Sequence, residues 1–183
     1  MDSTTSNVAI VENAKDYPYV AFGGTFDPPQ AGHIDALKQL LEAGHSHVVV
    51  AITAQNPFKT RKATPHEVRH QMLSTLIEAS SLPLTTDLKQ SGIYISTFQY
   101  ERTYEFVQNW RSISNYPLAW AVGEELLPDL HRWAKWEEMN LPIVLLKERI
   151  PLHATEIREG KVAPDPSLMP IIRQNCLYGY SEE

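Results

Sequence analysis

Apolar residues along the chain fall into short continuous runs that alternate with stretches of helical periodicity, and this rhythm fixes most of the expected elements. The polar start carries neither pattern, so residues 1–16 are expected to form a flexible arm ahead of a single domain over 17–183. Residues 17–22 (YPYVAF) read as a strand running into Gly23-Gly24, and from about 34 to 41 apolar positions recur at helical spacing until Gly44 stops them. Residues 47–53 (HVVVAIT) form a second strand. Being nearly all apolar, it suits a parallel strand covered on both faces. Thr64-Pro65-His66-Glu67 spells a capping box with proline at the first helical position, predicting a helix that continues to about Ala79. A weak strand at 84–88, a helix at 104–111, a strand at 118–122, broken helices between 124 and 139 and a strand at 141–146 follow in order.

Strand and helix keep alternating, which predicts right-handed crossovers and an α/β fold with a doubly wound, Rossmann-like parallel sheet. In such a sheet a ligand lies outside the carboxyl ends of the strands. The last 30 residues hold Pro164, Pro166 and Pro170 and are expected to form a short C-terminal helical cap. No repeat with a period of 20 to 50 residues and no low-complexity tract is present, which excludes solenoids and propellers.

Composition narrows the function classes. With 183 residues, 43% hydrophobic and 21% charged, the chain is an ordinary globular one. Acidic residues outnumber basic ones by 22 to 16, a net charge of −6, so broad binding to nucleic acid or anionic lipid is not expected and any phosphate site must concentrate its cations locally. One cysteine, Cys176, allows neither an internal disulfide nor a thiolate zinc site. No apolar run is long enough for a membrane span, and the first residues lack the order of a secretory signal; a cytoplasmic protein without membrane partners is expected.

The most informative stretch is the first strand-to-helix turn, from Phe22 through Gly23, Gly24, Thr25, Phe26, Asp27, Pro28, Pro29, Gln30, Ala31 and Gly32 to His33. Two glycines directly after a strand let main chain approach a ligand, the prolines stiffen the return, and a helix start favours phosphate. His33 could donate to a phosphate oxygen or neutralise its charge; the plainer reading is a tight turn with a surface histidine. The loop is neither G-x-G-x-x-G nor a Walker A sequence, which disfavours hydride transfer on a Rossmann site and P-loop hydrolysis.

This loop resembles the G-G-T/S-F-D-P-x-H-x-G-H signature of the nucleotidylyltransferase superfamily, and in particular of nicotinate or nicotinamide mononucleotide adenylyltransferases. Later segments resemble that family in the same order: Asn56 to Lys59 its P-x-x-K loop, Arg69 to Leu73 its R-x-x-M-L helix, and Thr103 to Val107 its T-x-D-T-L helix start. Gly123 to Glu125 with Leu130 to Trp133 is similar to its G-x-D and L-x-x-W. Thr155 to Arg158 resembles the end of its I-S-S-T-x-I-R, and Leu177-Tyr178 its terminal L-Y. The resemblance covers about residues 19–178.

The resemblance implies a transferase of NAD biosynthesis in which the phosphate of a pyridine mononucleotide attacks the α-phosphorus of ATP. It would make His33, Arg158 and Lys59 the catalytic residues. Gly23, Gly24, Thr25, Phe26, Gln30, Gly123, Glu125, Trp133 and Thr155 would bind the nucleotides, with Trp133 against the pyridine ring and the helix start at Thr155 adding its dipole. ATP is the implied co-substrate, and Mg²⁺ would ride on its phosphates with mostly water ligands, no protein metal site being implied. The chain departs from the family where the first histidine of H-x-G-H is Gln30, the serine pair is His153-Ala154, and the G-x-D aspartate is Glu125. Gln keeps a donor but cannot carry positive charge.

Other readings of these residues stand beside this one. Lys59, Arg61 and Lys62 read equally as a solvated loop, Arg158 as an ion-pair partner of Glu156 or Glu159, Trp133 and Trp136 as core, and Gly123 as a turn glycine. His66-Glu67-Val68-Arg69-His70 is a formal H-E-x-x-H zinc match, although no third ligand follows at a recognised spacing. The departures favour a non-catalytic nucleotide sensor, and the shared first loop leaves another phosphate acceptor open. Trp110 and Tyr116 could lie on a contact surface of a homo-oligomer.

Overall fold

The computed structural model describes residues 8–55 and 61–182. Six strands, β1 (Tyr19–Gly24), β2 (His47–Ile52), β3 (Leu84–Thr85), β4 (Gly92–Ile95), β5 (Leu118–Gly123) and β6 (Ile143–Leu146), form one sheet in the order β3-β4-β2-β1-β5-β6. Every neighbouring pair is parallel. From β1 the chain winds outward through β2 on one side and, later, through β5 on the other, so the strand order reverses between β1 and β5. That is the position at which a doubly wound sheet opens a crevice at its carboxyl edge.

Alternation along the central strands explains why they read as unbroken apolar runs. Val48, Val50 and Ile52 of β2 pack with Val20 against α1 (Ala31–Ala43), α2 (His66–Ala79) and the chain's end; Val49 and Ala51 pack with Ala21 and Trp120 against α3 (Thr103–Ile113) and α4 (Trp136–Met139). Both faces are buried, so neither alternate position is polar. The C-terminal cap comprises α5 (Ala154–Arg158), a 3-10 turn Pro166–Leu168 and α6 (Met169–Gln174), and fully buried Leu168 and Ile172 fix it to the core. Among the described residues no helix is long and apolar enough to cross a membrane.

Three expectations require correction. The arm is not loose throughout: Ile143 donates to the Ala9 carbonyl and Val11 to the Ile143 carbonyl, both at 2.8 Å, so residues 9–11 pair with β6 at the sheet edge. The capping box is not made. Pro65 caps α2 without a side-chain bond, because buried Thr64 is drawn elsewhere and gives its N–H to the Asp27 carboxylate at 2.9 Å. The weak strand at 84–88 shrinks to two residues, and the outer neighbour of β2 is β4, a strand absent from the apolar pattern.

Candidate active site

The end of β1 forms the floor of a cleft of about 400 Å³ at the β1/β5 reversal, lined among others by Gly23, Gly24, His33, Tyr100, Trp120, Gly123, Glu125 and Trp133. Gly23 is required there, since a Cβ would stand 2.6 Å from the Trp120 ring and 3.0 Å from the Tyr100 hydroxyl. Tyr100 and Trp120 in turn meet edge-to-face, so the strand end rests on a fixed aromatic wall. Phe26 follows in a left-handed conformation (φ 53°), buried between Phe22 and His33, and the Asp27–Pro28 bond is cis.

His33 is positioned by the cap of its own helix. Its Nδ1 accepts the Gln30 N–H at 3.1 Å, so in the neutral ring the proton sits on Nε2. Burial, with His153 nearby, lowers its pKa to about 4. At neutral pH, therefore, His33 is a neutral Nε2–H donor in the cleft; the charge-neutralising role allowed by the sequence does not apply to the free protein. Gln30 is corrected more sharply. Its side-chain oxygen accepts the Gly32 N–H and its amide nitrogen donates to the Leu152 carbonyl at 2.8 Å, so the group that replaces the first histidine is buried and committed to protein partners.

On the far wall, Glu125 folds its carboxylate back over Gly123, where any Cβ would collide with it. Trp133 and Trp136 meet edge-to-face at 6.2 Å and divide their roles: Trp136 is core, whereas half-buried Trp133 faces the cleft. The Thr25 hydroxyl lies 3.4 Å from that of Thr53. Lys59 lies outside the described residues. Arg158 makes no ion pair with Glu156 or Glu159; it donates to the Asp27 carbonyl at 2.8 Å and to the Thr155 hydroxyl at 3.0 Å. The helix α5 that carries both is five residues long, too short for a sizeable dipole. His153 instead faces Glu148, Nε2 to Oε1 at 3.4 Å.

Beside the cleft stands a polar cluster that the sequence reading did not assemble. The Asp27 side chain is wholly buried; it accepts from Arg61 at 2.8 Å, from the Thr64 N–H at 2.9 Å and from the Tyr178 hydroxyl. Burial pushes its pKa up, but these hydrogen bonds outweigh that and hold the carboxyl below the ordinary range. Arg69, fully buried, sends its donors to the carbonyls of Thr25, Thr53, Ala54 and Thr64. It stitches the β1 loop to the loop after β2. The H-E-x-x-H segment thus delivers an arginine between its histidines, and no cluster of three or more potential metal ligands exists among the described residues.

Residues 21–162 match the sequence pattern of the family described as cytidylyltransferase-like. The chain belongs to this family. Its curated relatives include proteins named "Probable nicotinate-nucleotide adenylyltransferase" from Nitratiruptor sp. (31% identical over 65% of this chain), Leptospira interrogans (29% over 82%) and Ruegeria pomeroyi (28% over 68%). The chain spans 66%, 78% and 57% of their respective lengths. Among solved structures, the fold is shared with a Plasmodium falciparum nicotinic acid mononucleotide adenylyltransferase complexed with NaAD (TM-score 0.66, 18% identity, 90% of this chain and 98% of that one) and complexed with APC (TM-score 0.65). Asp27 and Arg69 both lie within the segment matched by the family, in the first loop and in helix α2. Their partners lie 34 to 151 and 5 to 44 residues away, so no local signal gave their roles.

Proposed function

We propose that the protein transfers the adenylyl group of ATP to a pyridine mononucleotide, releasing pyrophosphate and forming a dinucleotide. The observation that carries this reading is the convergence, in one cleft at the β1/β5 reversal, of glycine main chain, a neutral histidine donor and a half-buried tryptophan face. An oxygen of the mononucleotide phosphate attacks the α-phosphorus, that P–O bond forms, and the bond to the bridging oxygen breaks as pyrophosphate leaves. No covalent intermediate with the protein is needed, so the side chains act by positioning and by stabilising charge. His33 Nε2–H donates to an oxygen of the transferred phosphoryl group, Trp133 stacks on the pyridine ring, and Arg158 and Lys59 hold polyphosphate. A divalent ion would enter with ATP on its phosphate oxygens and water, and would neutralise charge on the departing pyrophosphate.

The test is dinucleotide formation from ATP with nicotinate and with nicotinamide mononucleotide in the presence of Mg²⁺. Pyrophosphate release matched by dinucleotide is the expected result, and no product from either acceptor, with ATP bound, overturns it. The commitment of Gln30 to Leu152 favours a second reading, a nucleotide-binding relative of slow turnover. In that case ATP binds and the rate stays low with both acceptors.

A further inference from the structure

Three segments distant in sequence converge on Asp27. Arg61 and the Thr64 N–H arrive from the loop before α2, Arg158 from α5 to the Asp27 carbonyl, and the Tyr178 hydroxyl from the chain's end to the remaining carboxylate oxygen. Asp27 therefore draws two guanidinium groups to one residue. Burial first and then Arg61 lower the pKa of Arg158, and the buried carboxylate is the counter-charge between the two guanidinium groups. Tyr178 differs from the rest. It does not line the cleft and carries no charge, yet its backbone is held in the left-handed region (φ 53°), as are Cys176 (φ 51°) and Gly179 (φ 84°). Such conformations cost free energy in non-glycine residues and persist only where surrounding contacts impose them.

We propose that Tyr178 is a positioning residue: its hydroxyl fixes the Asp27 carboxylate so that Arg61 and Arg158 stand together beside the β1 loop as a paired grip for polyphosphate. This rests on the reading that ATP binds at that loop. Without the hydroxyl, Asp27 Oδ1 loses its donor, the carboxylate is held through Oδ2 alone by the Thr64 N–H and Arg61, and half-exposed Arg61 is held less firmly. The Tyr178 hydroxyl acts through Asp27 on Arg61, a charged group, so its loss is expected at contacts to phosphate charge before contacts to the uncharged rings.

The experiment compares the full chain with Tyr178→Phe, which keeps the ring. ATP and adenosine binding are measured by calorimetry from pH 8 down to about 3.5, so that the range includes the acid limb of Asp27, with thermal unfolding and dinucleotide formation in parallel. The expected result is a Kd for ATP raised about fivefold, the scale of one weakened charge-assisted hydrogen bond, with adenosine affinity unchanged. The charged and titratable groups facing Asp27 are Arg61 from the loop, Arg69 from α2, Arg158 from α5 and the neutral phenol of Tyr178. Loss of one donor to the charged form raises the pH at which Asp27 takes a proton, so ATP affinity in the variant falls away at a higher pH than in the parent. An unchanged Kd for ATP with an unchanged pH profile overturns the proposal, as does an equal loss for ATP and adenosine, which marks general loosening. ATP binding that responds to Tyr178→Phe without any dinucleotide formed overturns the transfer reading and leaves the positioning role standing. Dinucleotide formed with binding indifferent to the substitution does the reverse, and a parent chain that binds no ATP overturns both.

Discussion

His33 has a separate duty on each ring nitrogen, and substitution can part them. Nδ1 closes the cap of α1 and Nε2–H faces the cleft. His33→Ala removes both, so kcat/KM is expected to fall ~10²- to 10³-fold, the usual cost of a lost donor to developing charge. Stability should drop by about 1 kcal/mol, the worth of a helix cap. His33→Asn offers a carbonyl to the Gln30 N–H and should recover the stability without the rate; steady-state kinetics with urea unfolding reads both, and full turnover in the asparagine variant removes Nε2–H from the mechanism. Gln30 is the opposite case, a residue whose place in a motif suggests ligand contact and whose partners are structural. Its carbonyl partner Leu152 lies 122 positions away, which no local pattern discloses. Gln30→Ala leaves the Gly32 N–H and the Leu152 carbonyl unpaired and should destabilise by about 1–3 kcal/mol in denaturant unfolding, a loss absent if these groups were ligand-facing.

At the scale of elements, what could be read from the sequence depended on length and apolarity. β1, β2 and β5, each six residues and buried on both faces, emerged from their apolar runs. β4 did not, because GIYI is only four residues long and follows a turn, and its strand character comes from pairing with β2 rather than from its own pattern. Helix α2 was placed correctly at its far end, but its start was assigned to capping chemistry that Asp27 diverts by taking the Thr64 N–H. The same helix holds the loops of the cleft together through Arg69. Arg69→Met keeps a long apolar stem while stranding carbonyls of Thr25, Thr53, Ala54 and Thr64, and is expected to cost about 3 kcal/mol or more in chemical denaturation. Because Thr25 is among them, ATP affinity should fall too, and a variant with parental stability would contradict the stitching role.

Across the whole molecule, the alternation of strand and helix sufficed for the doubly wound sheet and for the edge at which the cleft opens, since handedness and strand reversal follow from topology. The charge balance within the site did not follow, because it is set by burial. Three groups show how this appears as a dependence on pH. His33 has its pKa lowered from 6.5 to about 4, and the pKa values of His66 and Asp27 are lowered as well. Each binds a proton less readily folded than unfolded, so the unfolded chain gains more protons as the solution is acidified and stability falls with falling pH. His33 contributes between pH 6.5 and about 4, His66 below 6.5, and Asp27 below its unfolded value of 3.8. Melting temperature should thus be highest above pH 6.5 and decline in two stages. His33→Asn, which cannot titrate, should flatten the first stage in part, the remainder belonging to His66, and leave the second unchanged. Parallel melting curves for the parent and this variant from pH 7.5 to 4 would mean that the ring at position 33 is as free to take a proton as any solvated histidine, and the neutral donor assigned to the cleft would be lost with it.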